Sequence, residues 1–322
     1  MNPVRRSLLT ASAACLAIAS THDVAAQPRP TKRPTKTKTK TKQRPSAARP
    51  SRGEVGSVAQ RIMQGTSPGV RTDTRLVLRY GQDVGFAPAA EDALAVGPDL
   101  LTAADGQVVA LYDAVRNEIL VATPKGVRSR FEVRRADALL IPETGKVAVL
   151  DASAGTLRLY AETGASLGDF SLPDRTPSGD RLELQGTSLV AIDAAGSSRE
   201  VAQLVGGKLV PPTRTGGLEA PIALRTESGA LRIGNETIRI DSAARIAGRL
   251  IGGRPPWIEI QIVRPGRRID VIRRARRRGT IVSLPTQERS YVPTMDVAAS
   301  SGGELVYLEP RDAEVHVVWV TP

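Results

Sequence analysis

The sequence predicts an all-β protein folded as a single β-propeller. An apolar run that ends in an acidic residue recurs along the chain, at Asp113, Asp151, Asp193 and Asp241, with a weaker copy at Glu309. The four aspartates are 38, 42 and 48 residues apart, and repeats of about 40–50 residues made of short strands are typical of propeller blades. The composition agrees, because β-branched residues are many and the 29 glycines and 23 prolines supply turns.

The first element in the chain is a predicted signal peptide, residues 1–26. Arg5 and Arg6 form its positive start, an apolar and small-residue stretch follows at 7–20, and Ala26 ends a small-residue motif. This order predicts cleavage before Gln27. We therefore expect the mature protein in the periplasm or secreted.

Two other interpretations of this start fit less well. The apolar stretch is shorter than the roughly 20 residues that a membrane-spanning helix needs, which disfavours an uncleaved anchor. Cys15 could mark a bacterial lipoprotein, but the leucine expected three positions before such a cysteine is missing. If Cys15 leaves with the signal, the mature chain has no cysteine, hence no disulfide and no cysteine metal site.

Residues 27–53 form a predicted disordered linker rich in proline, threonine and lysine. Residues 28–53 hold ten Lys and Arg and no acid, so together with the signal they account for +11 of the net charge of +12. The remaining chain is close to neutral, and the high isoelectric point therefore describes a tail rather than a basic domain. A solvated spacer is the favoured function of this segment. An electrostatic tether to acidic polymer, phospholipid headgroups at a membrane surface or nucleic acid is the alternative.

A transitional segment, residues 54–74, separates the linker from the propeller, which we expect over 75–322. Residues 58–63 favour a short helix that Gly65 would end. Residues 75–80 then alternate as a strand does. We expect this strand to join the C-terminal blade, which would tie the two ends of the domain together.

Six blades of mostly four antiparallel strands are predicted. Each blade has two apolar faces, which its neighbours must cover, and the ring must close to cover the last one. The fourth is irregular in sequence. The expected blades cover residues 93–133, with a turn at Asp105-Gly106, 136–172, 181–210, 222–251, 257–284 and 294–320.

Residues 113–119 resemble the NHL repeat, in which a strand ends in Asp, a polar turn with Asn and Arg follows, and an Ile leads into the next strand. Gly97-Pro98 and the turn at 105–106 fit the lead-in of that repeat, and residues 151–160 are similar but lack the Asn. The resemblance implies a six-bladed propeller and carries no catalytic residues by itself. The repeated aspartates themselves are expected to cap turns through their side-chain oxygens.

Catalytic signals are sparse. Of the two histidines, His22 is removed with the signal peptide, which leaves His316. This residue lies in an apolar strand, where a packing role is expected. A zinc site needs three or four His, Cys or carboxylate ligands. We therefore predict no catalytic residues, no metal site and no cofactor.

A metal-dependent hydrolase is the alternative function. Some six-bladed relatives of the NHL type are lactonases or sugar-acid hydrolases with a channel metal held by Glu, Asn and Asp. Glu219, Asn235 and Asp296 have the matching residue types, although their spacing does not mark a cluster.

An arginine cluster provides the candidate binding site. Guanidinium groups bind phosphate and carboxylate in pairs of hydrogen bonds, and no aromatic residues for base stacking lie among them. We therefore expect a non-enzymatic binding or scaffolding module of the bacterial envelope that recognises an anionic polymer or an acidic protein, with nucleic acid not a routine partner. A charged loop that prevents edge-to-edge aggregation is the simpler alternative. The candidate residues are Arg264, Arg267, Arg268, Arg273, Arg274, Arg276, Arg277 and Arg278, the last five at the predicted tip of a hairpin formed by 268–274 and 280–284.

Overall fold

The structure is a computed structural model in which all described residues belong to one compact unit, 49–322. It describes residues 52–91, 93–172, 181–192, 198–213, 224–227, 230–240, 245–252, 256–265, 267–274, 279–285 and 290–321. The predicted signal peptide and nearly all of the linker lie outside these residues. Within them, no helix has the length and apolar character that crossing a membrane requires.

The described chain begins with helix α1 (Arg52–Gln64), followed by strand β1 (Arg71–Arg79). Gly65 follows the helix with φ of +91°, a conformation that favours glycine and ends helices. The expected helix at 58–63 is therefore confirmed and is longer than predicted.

The remaining strands form successive antiparallel sheets. The first sheet connects its strands by tight turns, as at Asp105-Gly106, where Gly106 and Gln107 both have positive φ. The strands are β2 (Pro98–Ala104), β3 (Val108–Asp113), β4 (Glu118–Thr123) and β5 (Gly126–Glu132); β6 (Ala138–Leu140), β7 (Lys146–Asp151), β8 (Thr156–Ala161) and β9 (Ser166–Ser171); and β10 (Arg181–Gln185), β11 (Ser188–Ile192), β12 (Ser198–Val205) and β13 (Lys208–Val210).

The second half of the propeller is less regular. One sheet has three described strands and the next has four. The last three strands of the chain form a four-stranded sheet with β1, which comes from the N-terminal side of the domain. The strands are β14 (Leu224–Glu227), β15 (Ala230–Ile233) and β16 (Glu236–Arg239); β17 (Arg245–Gly252), β18 (Trp257–Arg264), β19 (Arg267–Arg274) and β20 (Ile281–Leu284); and β21 (Val297–Ala299), β22 (Leu305–Pro310) and β23 (Glu314–Thr321).

The all-β propeller is confirmed, whereas six complete blades are not. Five sheets have four strands each, and the sheet at 224–239 has three within the described chain. The predicted fourth blade at 222–251 was wrong at its end, because β17 pairs with β18 along Arg245–Val263 to Gly252–Trp257 and so belongs to the following sheet. The long apolar ladder of β17 and β18 decides this pairing.

The propeller is held together by apolar contacts between neighbouring sheets. Ile119 on β4 packs in one cluster with Val147 on β7, and Leu157 on β8 packs in another with Leu189 on β11. Ile260 on β18 shares a cluster with β15 and β16. Fully burying such a side chain contributes about 1.5–3 kcal/mol, so the core is distributed over the interfaces between blades.

Strand β1 closes the propeller by pairing with the last strand. It runs antiparallel to β23, with Arg71 opposite Thr321 and Arg79 opposite Glu314. Leu76 and Leu78 on this strand are buried in the cluster that joins the last sheet to the first. The expected closure by residues 75–80 is confirmed.

The repeated aspartates cap turns wherever the structure describes them. Oδ1 of Asp113 accepts hydrogen bonds from the backbone N–H groups of Val115 and Arg116, both at 3.1 Å. Oδ1 of Asp151 accepts one from Ala154 at 2.9 Å. Asp193 and Asp241 lie outside the described residues.

Candidate functional site

A cavity of about 580 Å³ lies where the first strands of the sheets converge. Five sheets contribute apolar side chains to its wall. Leu101 comes from β2, Leu139 from β6, Leu184 from β10, Ile251 from β17 and Val297 from β21. A concave apolar space with a few polar groups is the usual form of a ligand site.

Asp105 lies at the rim of this cavity and connects two sheets. Its Oδ2 accepts a hydrogen bond from the Ser301 hydroxyl at 2.6 Å, and its Oδ1 accepts one from the Gly302 backbone N–H at 2.7 Å. The Ser301 hydrogen bond, followed by those of Ser300 and Gly302, lowers the pKa of Asp105. The carboxylate is therefore held by its neighbours rather than left available as a general base.

The most polar wall of the cavity is formed by β10. Arg181 and Glu183 project from the same face of this strand, and their Nη2 and Oε1 atoms are 3.1 Å apart. Gln185 donates a hydrogen bond from Nε2 to Oε2 of Glu183 at 3.3 Å. Both charged side chains are largely buried, so their mutual neutralisation leaves this wall polar without a large net charge.

Of the three residues proposed for a channel metal, the structure describes Asn235 and Asp296. Asp296 lies 3.3 Å from Nη2 of Arg249, whose Nε also donates to Oε2 of Glu259 at 2.8 Å. Asn235 lies in the turn between β15 and β16, and Glu219 is outside the described residues. In the described part of the chain, no group of three or more His, Cys, Asp or Glu side chains could hold a metal ion.

His316 lies on β23 and is mostly buried. Its Nε2 is 2.6 Å from Oε1 of Glu314 on the same strand. The position agrees with the packing role that the sequence predicts.

The structure divides the arginine cluster between the two ends of one sheet. The expected hairpin is present, since β19 pairs with β20 from Asp270–Leu284 to Arg273–Ile281. Arg267 and Arg268 begin β19 and Arg274 ends it. A rise of about 3.3 Å per residue separates these ends by roughly 20 Å, so the cluster is two groups rather than one.

Arg273 lies inside the protein rather than at an exposed tip. Its guanidinium donates to both carboxylate oxygens of Glu236, at 2.8 and 3.1 Å, and its exposed fraction is 1%. This paired contact links β19 to β16 in the neighbouring sheet. The placement does not support Arg273 as a contact for an outside partner.

The other candidate arginines are placed only in part. Nη2 of Arg264 lies 3.5 Å from the Sδ atom of Met63, so its side chain covers the end of α1. Arg267, Arg268 and Arg274 are strand residues whose side chains are not described, and Arg276, Arg277 and Arg278 lie outside the described residues.

The end of β19 lies near the cavity. Gly252 at the cavity wall is paired with Trp257, and Trp257 is paired with Arg274. Neighbouring strands are about 4.8 Å apart, so two steps place the backbone of Arg274 about 10 Å from the wall. The arginine-rich turn therefore starts at the same end of the propeller as the cavity.

Comparison with known proteins assigns the chain to no family. The chain matches no protein-family model and no curated protein. Among solved structures it is similar to BamB from Moraxella catarrhalis (15% identity, 77% of this chain and 97% of that one, TM-score 0.33). It is also similar to a member of the DUF4221 family from Bacteroides vulgatus (8%, 78% and 98%, 0.41) and to the PQQ-bound aldose sugar dehydrogenase from Streptomyces coelicolor (10%, 80% and 100%, 0.41).

The cavity is the feature that the sequence did not reveal. Its lining is ordinary strand sequence, such as Leu139 and Leu184, which cannot be told from core residues by pattern. The one usable signal was positional, because the first strand of each predicted blade faces the propeller axis. The NHL resemblance remains a prediction.

Proposed function

We propose that this protein is an exported, non-enzymatic β-propeller that binds an anionic polymer or an acidic protein at the end carrying the cavity. The contact residues are Arg274, Arg276, Arg277 and Arg278. The observation that carries the proposal is the pairing of Gly252, Trp257 and Arg274, which starts the arginine-rich turn about 10 Å from the cavity wall.

The charge distribution supports an arginine contact. The chain after residue 53 has a net charge close to zero, so four arginines within five residues form a local positive site rather than part of a basic surface. Guanidinium groups at such a site bind carboxylate or phosphate bidentately and lose affinity as salt rises. Arg264, Arg267 and Arg268 belong to the opposite end of the sheet, so they are not part of this site and provide the comparison for its test.

The architecture and the location are part of the same proposal. The three-stranded sheet at 224–239 is the fourth blade, in chain order, of a six-bladed NHL-like ring, and its contact with β17 of the next sheet supports this. Residues 1–26 are a signal peptide and 27–53 a disordered linker, which place the domain in the periplasm or outside the cell. The lysines of the linker are attracted to a membrane surface or an anionic polymer. The length of the linker keeps the folded domain at a distance from that surface or polymer.

The test compares two sets of arginine substitutions. Arg274, Arg276, Arg277 and Arg278 are replaced with Ser, and binding to heparin and to polyglutamate is measured by fluorescence anisotropy at increasing salt. We expect affinity to fall at least tenfold with an unchanged melting temperature. The matched control replaces Arg267 and Arg268 with Ser at the other end of β19.

A second control separates the domain from its tail. The same measurements are made with every Lys and Arg in 28–51 replaced by Ser. Equal loss from the two arginine sets, or loss only from the tail substitution, would contradict the proposed site.

A further inference from the structure

A second surface lies at the end of the first sheet opposite the Asp105 turn. Three chain segments meet there: 81–97, which leads into β2; the turn 114–117, which follows β3; and 290–296, which leads into β21. None of these segments takes part in the arginine site. We refer to residues 81–91 and 93–97 with Val115 and Val292 as the apolar–acidic surface.

Close contacts hold the segments together. The Gly85 backbone N–H donates to Oδ2 of Asp113 at 2.6 Å, and a methyl group at Gly85 would lie only 2.5 Å from Cβ of Val115. The Tyr291 hydroxyl donates to the Pro98 carbonyl at 2.8 Å. These contacts leave little freedom for the segments to separate.

An aromatic group forms the base of the surface. The Phe86 ring stacks on Tyr80 with centroids 4.6 Å apart and lies 6.1 Å from the Tyr291 ring. Two pairs of backbone hydrogen bonds, Ala87 with Val96 and Ala90 with Ala93, shape the chain above it into a hairpin. The surface is therefore a built feature and not a loose loop.

Large apolar side chains are concentrated on this surface. Leu94 is 88% exposed, Val292 65%, Val96 40% and Val115 39%. They make up half of the eight large apolar side chains that are exposed in the described part of the chain. A group of exposed apolar residues marks an interaction site more often than single exposed residues do.

The charge around these side chains is negative. Residues 81–97 contain Asp83, Glu91 and Asp92 and no Lys or Arg. Burial raises the pKa of Tyr291, and Asp99 and Asp113 raise it further.

The arginine of the turn 114–117 is engaged within the protein. Arg116 donates from Nη2 to the Gly81 carbonyl at 2.7 Å, and its Nε lies 3.9 Å from Asp113. Its charge is therefore directed at the base of the surface and partly balanced by a buried carboxylate.

We propose that the apolar–acidic surface binds a segment of a partner protein in which apolar side chains are flanked by Lys or Arg. The exposed leucine and valines supply apolar contact, and the surrounding acids select a basic partner. A second copy of this chain would bring two acidic segments together, and an anionic lipid surface would be repelled for the same reason. With the arginine site, the domain would hold two partners of opposite charge on opposite ends.

The ligand is sought with a phage-displayed random peptide library, panned on the full chain at 150 mM salt, a value of about physiological ionic strength. Counter-selection uses the Leu94→Ser/Val292→Ser variant, which removes peptides that bind elsewhere, the arginine site included. We expect enrichment of peptides with Leu, Ile, Phe or Trp next to Lys or Arg.

Affinity measurements on the enriched peptides complete the test. We expect Leu94→Ser/Val292→Ser to weaken binding at least tenfold and Glu91→Lys to weaken it with less dependence on salt. The control Leu167→Ser/Val205→Ser changes exposed apolar residues on two other sheets and should have no effect. Enrichment of acidic or uncharged peptides, or equal binding by all variants, would overturn the proposal, and so would a dimer in sedimentation that Leu94→Ser/Val292→Ser dissociates.

Discussion

The N-terminal segment completes two sheets in different ways. One is the sheet of β1 and β21–β23, and the other is the sheet of β14–β16. Strand β1 adds a full antiparallel partner to β23, from Arg71–Thr321 to Arg79–Glu314. Helix α1 instead packs against β16, with Val58 and Ile62 buried in the cluster that includes Ile238. One segment of about thirty residues thus supplies a fourth strand to one sheet and an apolar cover to another.

A strand and a helix in this position differ in whether they provide hydrogen-bond partners for the backbone groups at the sheet edge. A strand pairs with the backbone N–H and C=O groups of the edge, whereas a helix satisfies its own and contributes mainly side chains. The described contacts of α1 outside its apolar side include one hydrogen bond from Nη2 of Arg61 to the Gly279 carbonyl, at 3.0 Å. We therefore expect β1 to contribute more to global stability than α1.

Truncating the buried side chain of β1 should have the largest effect. Leu78 is 1% exposed, and Leu78→Ala should lower the free energy of unfolding by about 2–5 kcal/mol, because it opens a cavity at the closing sheet. Urea unfolding followed by circular dichroism measures this value. The control is Val77→Ala on the same strand, whose side chain faces solvent and should change it by less than about 0.5 kcal/mol.

Truncating the helix should have a smaller and more local effect. Ile62→Ala should cost about 1–2 kcal/mol, because α1 can detach before the sheets unfold and limits the loss to its own docking energy. Hydrogen exchange should show faster exchange at β16 with β1 unchanged. Gln60→Ala, on the exposed side of the helix, is the control, and equal exchange at β1 and β16 would contradict the difference between the two edges.

The smallest effect concerns the link between the first and last sheets at Asp105. Its pKa is lowered in the folded protein by Ser301, Ser300 and Gly302, so its contribution to stability is present above the unfolded pKa of about 3.9 and is lost as pH falls through the folded value. Because the group is largely exposed, this contribution is below about 1 kcal/mol. Asp105→Asn should flatten the stability profile below about pH 4 in urea titrations. An unchanged profile would show that the rim contact does not stabilise closure.

The sequence predicted the regular part of the fold because the local signals there are complete. Alternation, the Asp-Gly turn at 105–106 and the acidic strand ends predict the first three sheets almost to the residue. Prediction failed after residue 222, where the repeated aspartate, Asp241, lies in the chain between β16 and β17, which belong to different sheets, whereas Asp113 and Asp151 lie at connections between strands of one sheet. Whether a strand belongs to the sheet before or after it is decided by pairing between distant residues, which periodicity does not contain.

The site was predicted less well than the fold. Arg273 has the same local sequence as the arginines that follow it, and the carboxylate of Glu236, supplied by another sheet, accompanies its burial. The apolar–acidic surface was missed because Leu94 and Val292 are nearly two hundred residues apart in the chain. Charge and residue type can be read from sequence, but which residues share a surface depends on tertiary contacts.

The pairing of Arg71 with Thr321 has a consequence for how the protein is made. Strand β1 is synthesised before every other strand, but its partner β23 is synthesised last. About 250 residues therefore separate the two paired strands in the chain. Contacts of such long range form slowly. A chain still emerging from a ribosome therefore has an open last sheet, and the loss of residues 314–322, which include all of β23, would keep it open.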